Sequence, residues 1–331
     1  MADMTTIEYK PGGEPMETMM PPQLLGPGGD VGEQTPGGGP EERGIGCKDD
    51  DDTAAQPEAF EVKLPDGALV ERVRTRCFAR NVALYVVTYM SQGLKVKGYL
   101  VVPEECSPCP ALIYCRGGIR KVGMVRIRRI VSMARRGFVV FAPFYRGNEG
   151  GEGREDFGGE DRFDVHHAVT LVRSLPEVEP KPVSLIGFSR GAVNALLTAK
   201  ECEGVGPVVI WGGVSDLFQT YEERVDLRRM LKRVVGHPKK NEQEYVKRSA
   251  IYWADQLRSP IMIVHGSADP QVGVEQARKL ARALEAAGKE YAMELYDGLP
   301  HRFPKEEDER ALDSVFGWIK GKLKDIGPMS K

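Results

Sequence analysis

A serine stands where a strand-like run passes directly into a helix-like run. The segment VSLIGFSRGA covers residues 183–192, and Ser189 lies between Gly187 and Gly191 in the pattern G-x-S-x-G. A tight strand-to-helix turn strains its apex residue and leaves little room for side chains two positions away on either side. The turn also lifts the apex side chain out of the sheet edge, toward a bound molecule. The pattern therefore predicts that Ser189 is a nucleophile rather than an ordinary turn residue.

A serine hydroxyl becomes a useful nucleophile only when a base takes its proton and a carboxylate orients that base. In α/β hydrolases these partners follow the serine in the order acid, then histidine, on loops after later strands. Of the five histidines, His301 has this position, in the loop DGLPHRF before the last helix-like segment. Asp269 follows the strand-like run 261–264. We expect a triad of Ser189, Asp269 and His301; the alternatives are a surface histidine and an aspartate that caps the next helix.

Acyl transfer also needs hydrogen-bond donors for the negatively charged oxygen of the transition state. One donor is expected to be the backbone N–H of Arg190, directly after the nucleophile. The other should come from the loop after an earlier strand, where YCRGG occupies residues 114–118. We predict the Gly118 N–H for this role, with Gly117 as second choice, because glycine lets the backbone approach the oxygen.

Four cationic residues are expected near these donors, namely Arg116, Arg120, Lys121 and Arg190. Arginine binds carboxylates through two parallel hydrogen bonds. The cluster indicates selection of substrates that carry an anion near the scissile bond, with Arg116 as a substrate contact. The alternative is that Arg120 and Lys121 begin an exposed, basic helix face.

Short apolar runs alternate with helix-like segments from about residue 80 to residue 325. The strand-like runs are 83–89, 95–102, 111–115, 138–141, 183–186, 208–211, 261–264 and 291–296. The helix-like segments are 124–136, 161–175, 190–202, 274–287 and 306–324. This alternation is typical of the α/β class, here a mostly parallel sheet with helices on both faces and an antiparallel N-terminal hairpin. The charged stretch 215–256 interrupts the alternation and predicts a small helical cap insertion beside the site.

The first sixty residues differ in composition from the rest of the chain. They contain 11 Gly, 8 Pro, 13 acidic and 3 basic residues. Such a segment buries too little apolar surface to offset the entropy of ordering it. We predict that residues 1–60 are a disordered acidic tail, with a partner-binding arm as the alternative. Residues 61–331, which are mildly basic, are predicted to form one catalytic domain.

Composition also narrows the class of protein. The chain shows no secretory signal and no uninterrupted apolar stretch near the ~20 residues that a membrane span needs. Without an export signal the six cysteines are expected to be reduced thiols, and CSPC at residues 106–109 reads as a turn rather than a metal site. No nucleic-acid motif accompanies the basic charge. We expect a cytoplasmic protein without a metal or organic cofactor and without a nucleic-acid or membrane partner.

Together these features resemble the catalytic domain of the prolyl oligopeptidase family of α/β hydrolases, over about residues 80–325. The resemblance rests on the segments YCRGG, RGFVVFAPFYRGNEGGEGREDFGGEDRFDV, GFSRG, HGSADPQV and GLPHRF. It implies that Arg146 and the acids near Glu160 are structural ion-pairing residues. The family commonly has His or Tyr where Arg116 stands and Tyr where Arg190 stands. Its larger peptidases also carry an N-terminal β-propeller, for which this sequence shows no counterpart.

The sequence thus predicts a serine hydrolase that cleaves ester bonds, with amides in second place, through an acyl-enzyme on Ser189. A serine peptidase or acylaminoacyl-peptidase that acts on short peptides is the alternative within the same class. A hydrolase fold that has lost activity and serves as a binding module is a third interpretation, against which the complete triad argues. The expected substrate is a small ester or a short peptide.

Overall fold

Ten strands of the described chain form one mixed sheet. The computed structural model describes residues 4–9 and 63–326. The strands are β1 Met4–Tyr9, β2 Leu69–Thr75, β3 Val82–Ser91, β4 Leu94–Pro103, β5 Ala111–Cys115, β6 Val139–Pro143, β7 Val183–Phe188, β8 Val205–Trp211, β9 Ile261–Gly266 and β10 Tyr291–Tyr296. Their order across the sheet is β1-β10-β9-β8-β7-β5-β6-β4-β3-β2.

The six strands from β10 to β6 run parallel and form the centre of the sheet. Strands β2, β3 and β4 are antiparallel at one edge, and β1 pairs antiparallel with β10 at the other. The central strands β5, β6 and β9 consist of buried residues throughout, since both faces of the sheet are covered. The predicted α/β-hydrolase fold with its antiparallel N-terminal hairpin is confirmed.

Helices on both faces of the sheet bury two separate apolar cores. They are α1 Ile127–Ala134, α2 Phe163–Ser174, α3 Gly191–Glu201, α4 Leu217–Glu223, α5 Arg228–Val234, α6 Glu242–Lys247, α7 Glu275–Ala286 and α8 Lys305–Ile326. Apolar residues of α2, α3 and α7 pack in one core, and those of α1 and α8 pack in the other. Strands β3 to β10 therefore contribute side chains to both cores in alternation. The loops at the carboxyl ends of the parallel strands then meet at one edge.

The charged stretch 215–256 is helical, as predicted. It contains α4, α5 and α6, and it is tied to α7 by the amide side chain of Gln276. The side-chain oxygen of Gln276 accepts hydrogen bonds from the N–H groups of Ser215 and Asp216 at 2.9 and 2.8 Å. Its side-chain nitrogen donates to the carbonyl oxygen of Asp216 at 2.9 Å and to the hydroxyl of Thr220 at 3.1 Å. One buried side chain thus provides hydrogen-bond partners for the backbone at the start of the insertion.

Two edge strands lie outside the predicted runs. Strand β2 has the sequence LVERVRT and is mostly exposed. Because it contains charged residues, a search for apolar runs does not find it. Strand β1 lies within the stretch 1–60, and its backbone pairs with β10. An edge strand gains ladder hydrogen bonds without needing an apolar face. Residues 1–3 and 10–60 of the predicted tail lie outside the described residues.

One prediction about the cysteines is wrong. Cys106 and Cys109 are joined in a disulfide bond, with their Cα atoms 5.7 Å apart. Cys77, Cys115 and Cys202 are free thiols, as expected. A spacing of two intervening residues brings two cysteines within reach in a turn, but it does not determine whether they are oxidised.

Replacement of Gln276 by Ala is expected to lower the free energy of unfolding by about 3 kcal/mol, because it leaves the buried N–H groups of Ser215 and Asp216 without partners. Urea denaturation measures the change. Gln243→Ala is the matched control, since Gln243 is an exposed residue of α6. If both variants lose the same small amount, Gln276 does not anchor the insertion.

Candidate active site

Ser189 occupies a strained turn between β7 and α3. Its φ of 57° lies in the left-handed region, which is unfavourable for a residue with a side chain. Its N–H donates to the carbonyl oxygen of Trp211 at 3.0 Å, and its carbonyl oxygen accepts from the N–H of Val214 at 3.2 Å. These bonds to the last residue of β8 and to the loop that follows it hold the turn in place. The sequence pattern therefore has the geometry that it predicts.

The glycines on either side of Ser189 are required by close packing. A Cβ on Gly191 would collide with the carbonyl oxygen of Cys115, the last residue of β5. A Cβ on Gly187 would lie 2.7 Å from the Cα of Ala192. The first turn of α3 therefore lies directly against the end of the neighbouring strand.

His301 and Asp269 are brought together by the loops after β10 and β9. The Nδ1 of His301 lies 2.6 Å from the Oδ2 of Asp269, and both side chains are buried. The Oδ1 of Asp269 accepts hydrogen bonds from the N–H groups of Gln271 and Val272 at 2.8 and 3.0 Å. Burial alone would raise the pKa of Asp269, but the bond from His301 and these N–H groups outweigh burial and lower it. Asp269 is thus an ionised partner for the imidazole.

A second histidine supports the Asp269 loop, which sequence reasoning did not foresee. The Nε2 of His265 donates to the carbonyl oxygen of Val272 at 2.8 Å, and it lies 3.5 Å from the Oδ2 of Asp269. Burial lowers the pKa of His265, so this ring is neutral at pH 7. His265 closes β9, and its position at the strand end is the signal that could have indicated a loop-bracing role.

Phe188 and Gly117 place the serine beside the histidine and beside the loop after β5. The ring of Phe188 packs against that of His301 with centroids 4.8 Å apart. A Cβ on Gly117 would lie 2.8 Å from the Cβ of Ser189, so the backbone there passes close to the serine. Within residues 63–326 the N–H groups of Gly118 and Arg190 have no hydrogen-bond partner. Two donors beside the serine are thus available to a bound oxygen.

The structure corrects the interpretation of Arg116 as a substrate contact. Its guanidinium is 1% exposed and donates to the carbonyl oxygens of Phe144 and Gly117 at 2.8 and 3.0 Å. It also lies 3.3 Å from the carboxylate of Glu155. The Arg116 side chain thus binds the carbonyl oxygens of Gly117 and Phe144, and it is not part of the cavity lining.

The side chain of Arg190 is likewise committed to buried partners. Its guanidinium donates to the carbonyl oxygen of Gly118 at 2.7 Å and to Glu155 at 2.6 Å, and it pairs with Asp161. Burial opposes the charge, but Asp161 and Glu155 outweigh it and raise the pKa of Arg190. Two arginines are therefore balanced by two carboxylates, and neither arginine is free for a substrate anion. Asp161 is one of the acids near Glu160 for which the resemblance implied structural ion pairing. The sequence analysis did not assign Glu155, although the acidic run 155–161 was a signal for it.

The resemblance also implied that Arg146 is structural, and its contacts agree. The guanidinium of Arg146 pairs with the buried carboxylate of Asp164 at 2.8 Å. The Asp164 carboxylate additionally accepts from the Ser91 hydroxyl at 2.8 Å. This pair lies beneath the loop after β6, away from Ser189, and joins that loop to α2 and β3.

A cavity of about 290 Å³ opens over Ser189 and His301. The insertion 215–256 contributes part of its wall through Thr220, Leu227 and Met230.

Among residues 4–9 and 63–326, no cluster of three or more His, Cys, Asp or Glu side chains is arranged to hold a metal ion. In the same ranges no helix is long and apolar enough to cross a membrane.

The fold and the cavity are those of an α/β-hydrolase enzyme, and comparison with known proteins is more specific. Residues 124–325 match the peptidase S9 family, the prolyl oligopeptidase family. The uncharacterized peptidase YtmA of Bacillus subtilis is 43% identical over 256 residues, which are 77% of this chain and the full length of that protein. The chain therefore belongs to the prolyl oligopeptidase family and is a serine hydrolase.

Solved structures with the same fold include both peptidases and esterases. An acylaminoacyl peptidase of Pyrococcus horikoshii matches with a TM-score of 0.66 at 18% identity, over 77% of this chain and 44% of the peptidase. An acetyl xylan esterase of Paenibacillus sp. R4 matches with a TM-score of 0.61 at 16% identity, over 76% of this chain and 88% of the esterase. The chain spans less than half of the peptidase and most of the esterase.

Replacement of Gly191 by Ala is expected to lower the free energy of unfolding by about 2 kcal/mol or more, because the new Cβ meets the backbone of β5. Gly317→Ala is the matched control. Gly317 lies within α8 with open space around its Cα, so alanine there should raise stability by about 0.5–1 kcal/mol. Thermal denaturation measures both changes. A Gly191→Ala variant that is as stable as the wild type, or more stable, would contradict the packing of the turn.

Proposed function

We propose that this hydrolase cleaves ester bonds through an acyl-enzyme on Ser189, with His301 as the base and Asp269 as the acid that orients it. The observation that carries the proposal is the buried His301–Asp269 hydrogen bond at 2.6 Å on the wall of the cavity that also exposes Ser189. A nucleophile on a strained turn, an imidazole and an ionised carboxylate are the parts that acyl transfer requires.

The hydrogen bond to Asp269 sets the tautomer of His301. Since Asp269 accepts from Nδ1–H, the Nε2 atom carries the lone pair that takes the proton of Ser189. Within residues 63–326 the Ser189 hydroxyl has no hydrogen-bond partner, and we propose that it bonds to the His301 Nε2 atom when substrate is bound. Oγ then bonds to the carbonyl carbon, Nε2–H protonates the leaving oxygen as the C–O bond breaks, and water hydrolyses the acyl-enzyme by the reverse proton transfers.

Backbone donors are proposed to stabilise the oxyanion. The free N–H groups of Arg190 and Gly118 support this role, and the Gly117 N–H is the second choice on the same loop. Because the Arg116 side chain is turned away to Glu155, no side chain at that position supplements them. The guanidinium of Arg190 fixes the Gly118 carbonyl, so it positions both donors at once.

A serine peptidase acting on short peptides is the second candidate. The name of the Bacillus subtilis relative and the likeness to an acylaminoacyl peptidase favour it. The esterase proposal is favoured by the match to 88% of the length of an acetyl xylan esterase and by the modest volume of the cavity, about 290 Å³. We further propose that residues 61–331 are the catalytic domain, with 215–256 as its cap. A cytoplasmic location, and the lack of nucleic-acid and membrane partners, stay predictions.

The triad is tested by single substitutions assayed with 4-nitrophenyl butyrate. Ser189→Ala and His301→Gln should each lower kcat by about 10⁶-fold, and Asp269→Asn by about 10⁴-fold because the imidazole loses its tautomer. His237→Gln, a change in the insertion away from the cavity lining, is the control and should keep the wild-type kcat. Turnover by Ser189→Ala within tenfold of wild type would refute the proposal.

The bond that is cleaved is tested with a matched ester and amide. N-acetyl-alanine 4-nitrophenyl ester should be hydrolysed, whereas the corresponding 4-nitroanilide should not be hydrolysed above background, because an amine leaving group needs better-placed protonation. Anilide hydrolysis that disappears in Ser189→Ala would instead establish the peptidase alternative.

A further inference from the structure

Three residues that line the cavity, none of them from the insertion, can bind an anion. They are Tyr114 in β5, Arg126 at the start of α1 and Arg302 directly after His301, and we call these three residues the basic wall. The guanidinium of Arg302 lies 6.0 Å from the ring centroid of Phe188, which itself packs on His301. Arg302 therefore lies near the proposed base.

The cavity is lined by more arginines than the neighbouring carboxylates can neutralise. Five arginines line it, against one carboxylate, Asp308. Asp308 pairs with Arg129, whose guanidinium also lies over the Trp211 ring at 4.5 Å. Arg190 is balanced by buried acids, and Arg224 pairs with Asp226 at 2.7 Å.

The two remaining arginines of the lining have no such partner. Within residues 63–326, neither Arg126 nor Arg302 makes an ion pair or a side-chain hydrogen bond, and both guanidinium groups are exposed. Arginine is well suited to a carboxylate, because its planar fork donates two parallel hydrogen bonds. Two unneutralised arginines in the cavity lining thus favour an anionic group in the bound molecule.

Tyr114 adds a hydrogen-bond donor to the basic wall. The residue is 7% exposed and lines the cavity, and within residues 63–326 its hydroxyl has no hydrogen-bond partner. Burial raises the pKa of Tyr114, although Arg129 and Arg126 oppose the rise, so the phenol remains protonated and able to donate. The hydroxyl is therefore available to donate to a ligand oxygen in the cavity.

The start of α1 also favours the binding of a negatively charged group. Arg126 is the N-cap residue of this helix, its side chain does not cap it, and the first turn contains no acidic residue. The first N–H groups of a helix lack partners within the helix and carry partial positive charge. The helix start, the two arginines and the Tyr114 hydroxyl are therefore independent features that each favour a negatively charged oxygen.

We propose that the basic wall is a carboxylate-binding subsite, so that the preferred substrates are esters or amides that carry a free carboxylate. This inference rests on the proposed function and assigns its substrate class. It moves the anion selectivity expected from the sequence away from Arg116 and Arg190, whose charges are neutralised, to Arg126 and Arg302. The apolar rings of Trp211 and Phe303 line the same part of the cavity and suit the carbon chain between the carboxylate and the reacting carbonyl.

The subsite is tested by two matched pairs of esters. The first pair, mono-4-nitrophenyl glutarate and its methyl ester, places the carboxylate on the acyl group. The second pair, 4-acetoxybenzoate and its methyl ester, places it on the leaving group. Wild-type protein should show a kcat/KM at least tenfold higher for the acid than for the methyl ester in one pair. Arg302→Gln, Arg126→Gln and Tyr114→Phe should each reduce that ratio, and the double arginine variant should abolish it.

The control is Arg135→Gln, which removes an exposed arginine at the far end of α1 and should keep the wild-type ratio. The proposal is overturned if the acid is not preferred in either pair, or if the preference persists in the double arginine variant.

A binding measurement separates the subsite from the proposed chemistry. In Ser189→Ala, calorimetry should detect monomethyl glutarate but not dimethyl glutarate, and the added Arg126→Gln and Arg302→Gln changes should weaken binding at least tenfold. If no ester is hydrolysed, the proposed function fails, and this measurement alone decides the subsite. Equal binding of the acid and the diester, or no binding of either, overturns it.

Discussion

The buried guanidinium of Arg190 joins the parts of this site that must not move relative to each other. It follows the proposed nucleophile directly, and it donates to the carbonyl oxygen of Gly118 on the loop after β5. Glu155 and Asp161, from the segment after β6, hold it from the other side. Loss of one partner of a buried ion pair typically costs about 3–5 kcal/mol, because the other charge is left without compensation. The network therefore favours one arrangement of the strained turn and the loop after β5.

The proposed base is held by a different set of contacts. His301 and Asp269 are 32 positions apart and meet because β9 and β10 are parallel neighbours whose ends lie at the same edge. His265 and the N–H groups of residues 271 and 272 fix the aspartate loop from below. Separate sets of contacts thus position the nucleophile and the base. The packing of Phe188 on His301 joins the two sets.

The sequence was sufficient for the central sheet because its strands are short, apolar and separated by amphipathic helices, which are strong local signals. The turn at Ser189 could also be predicted from the sequence, since only glycine fits at Gly187 and Gly191. The orientation of Arg116 and Arg190 could not be predicted, because it depends on Glu155 and Asp161, which lie about 30 to 40 residues away along the chain. Strand β2 was missed because its charged residues mask the strand, and the oxidation of Cys106 and Cys109 is not encoded in their spacing.

The central claim is that Ser189 is activated by His301, and covalent labelling tests it most directly. The protein is incubated with a fluorophosphonate, digested, and mapped by mass spectrometry. The account predicts one phosphonylated peptide, with the adduct on Ser189, and labelling slowed by orders of magnitude in His301→Gln. An adduct on another residue, or equal labelling rates in wild type and His301→Gln, would contradict it.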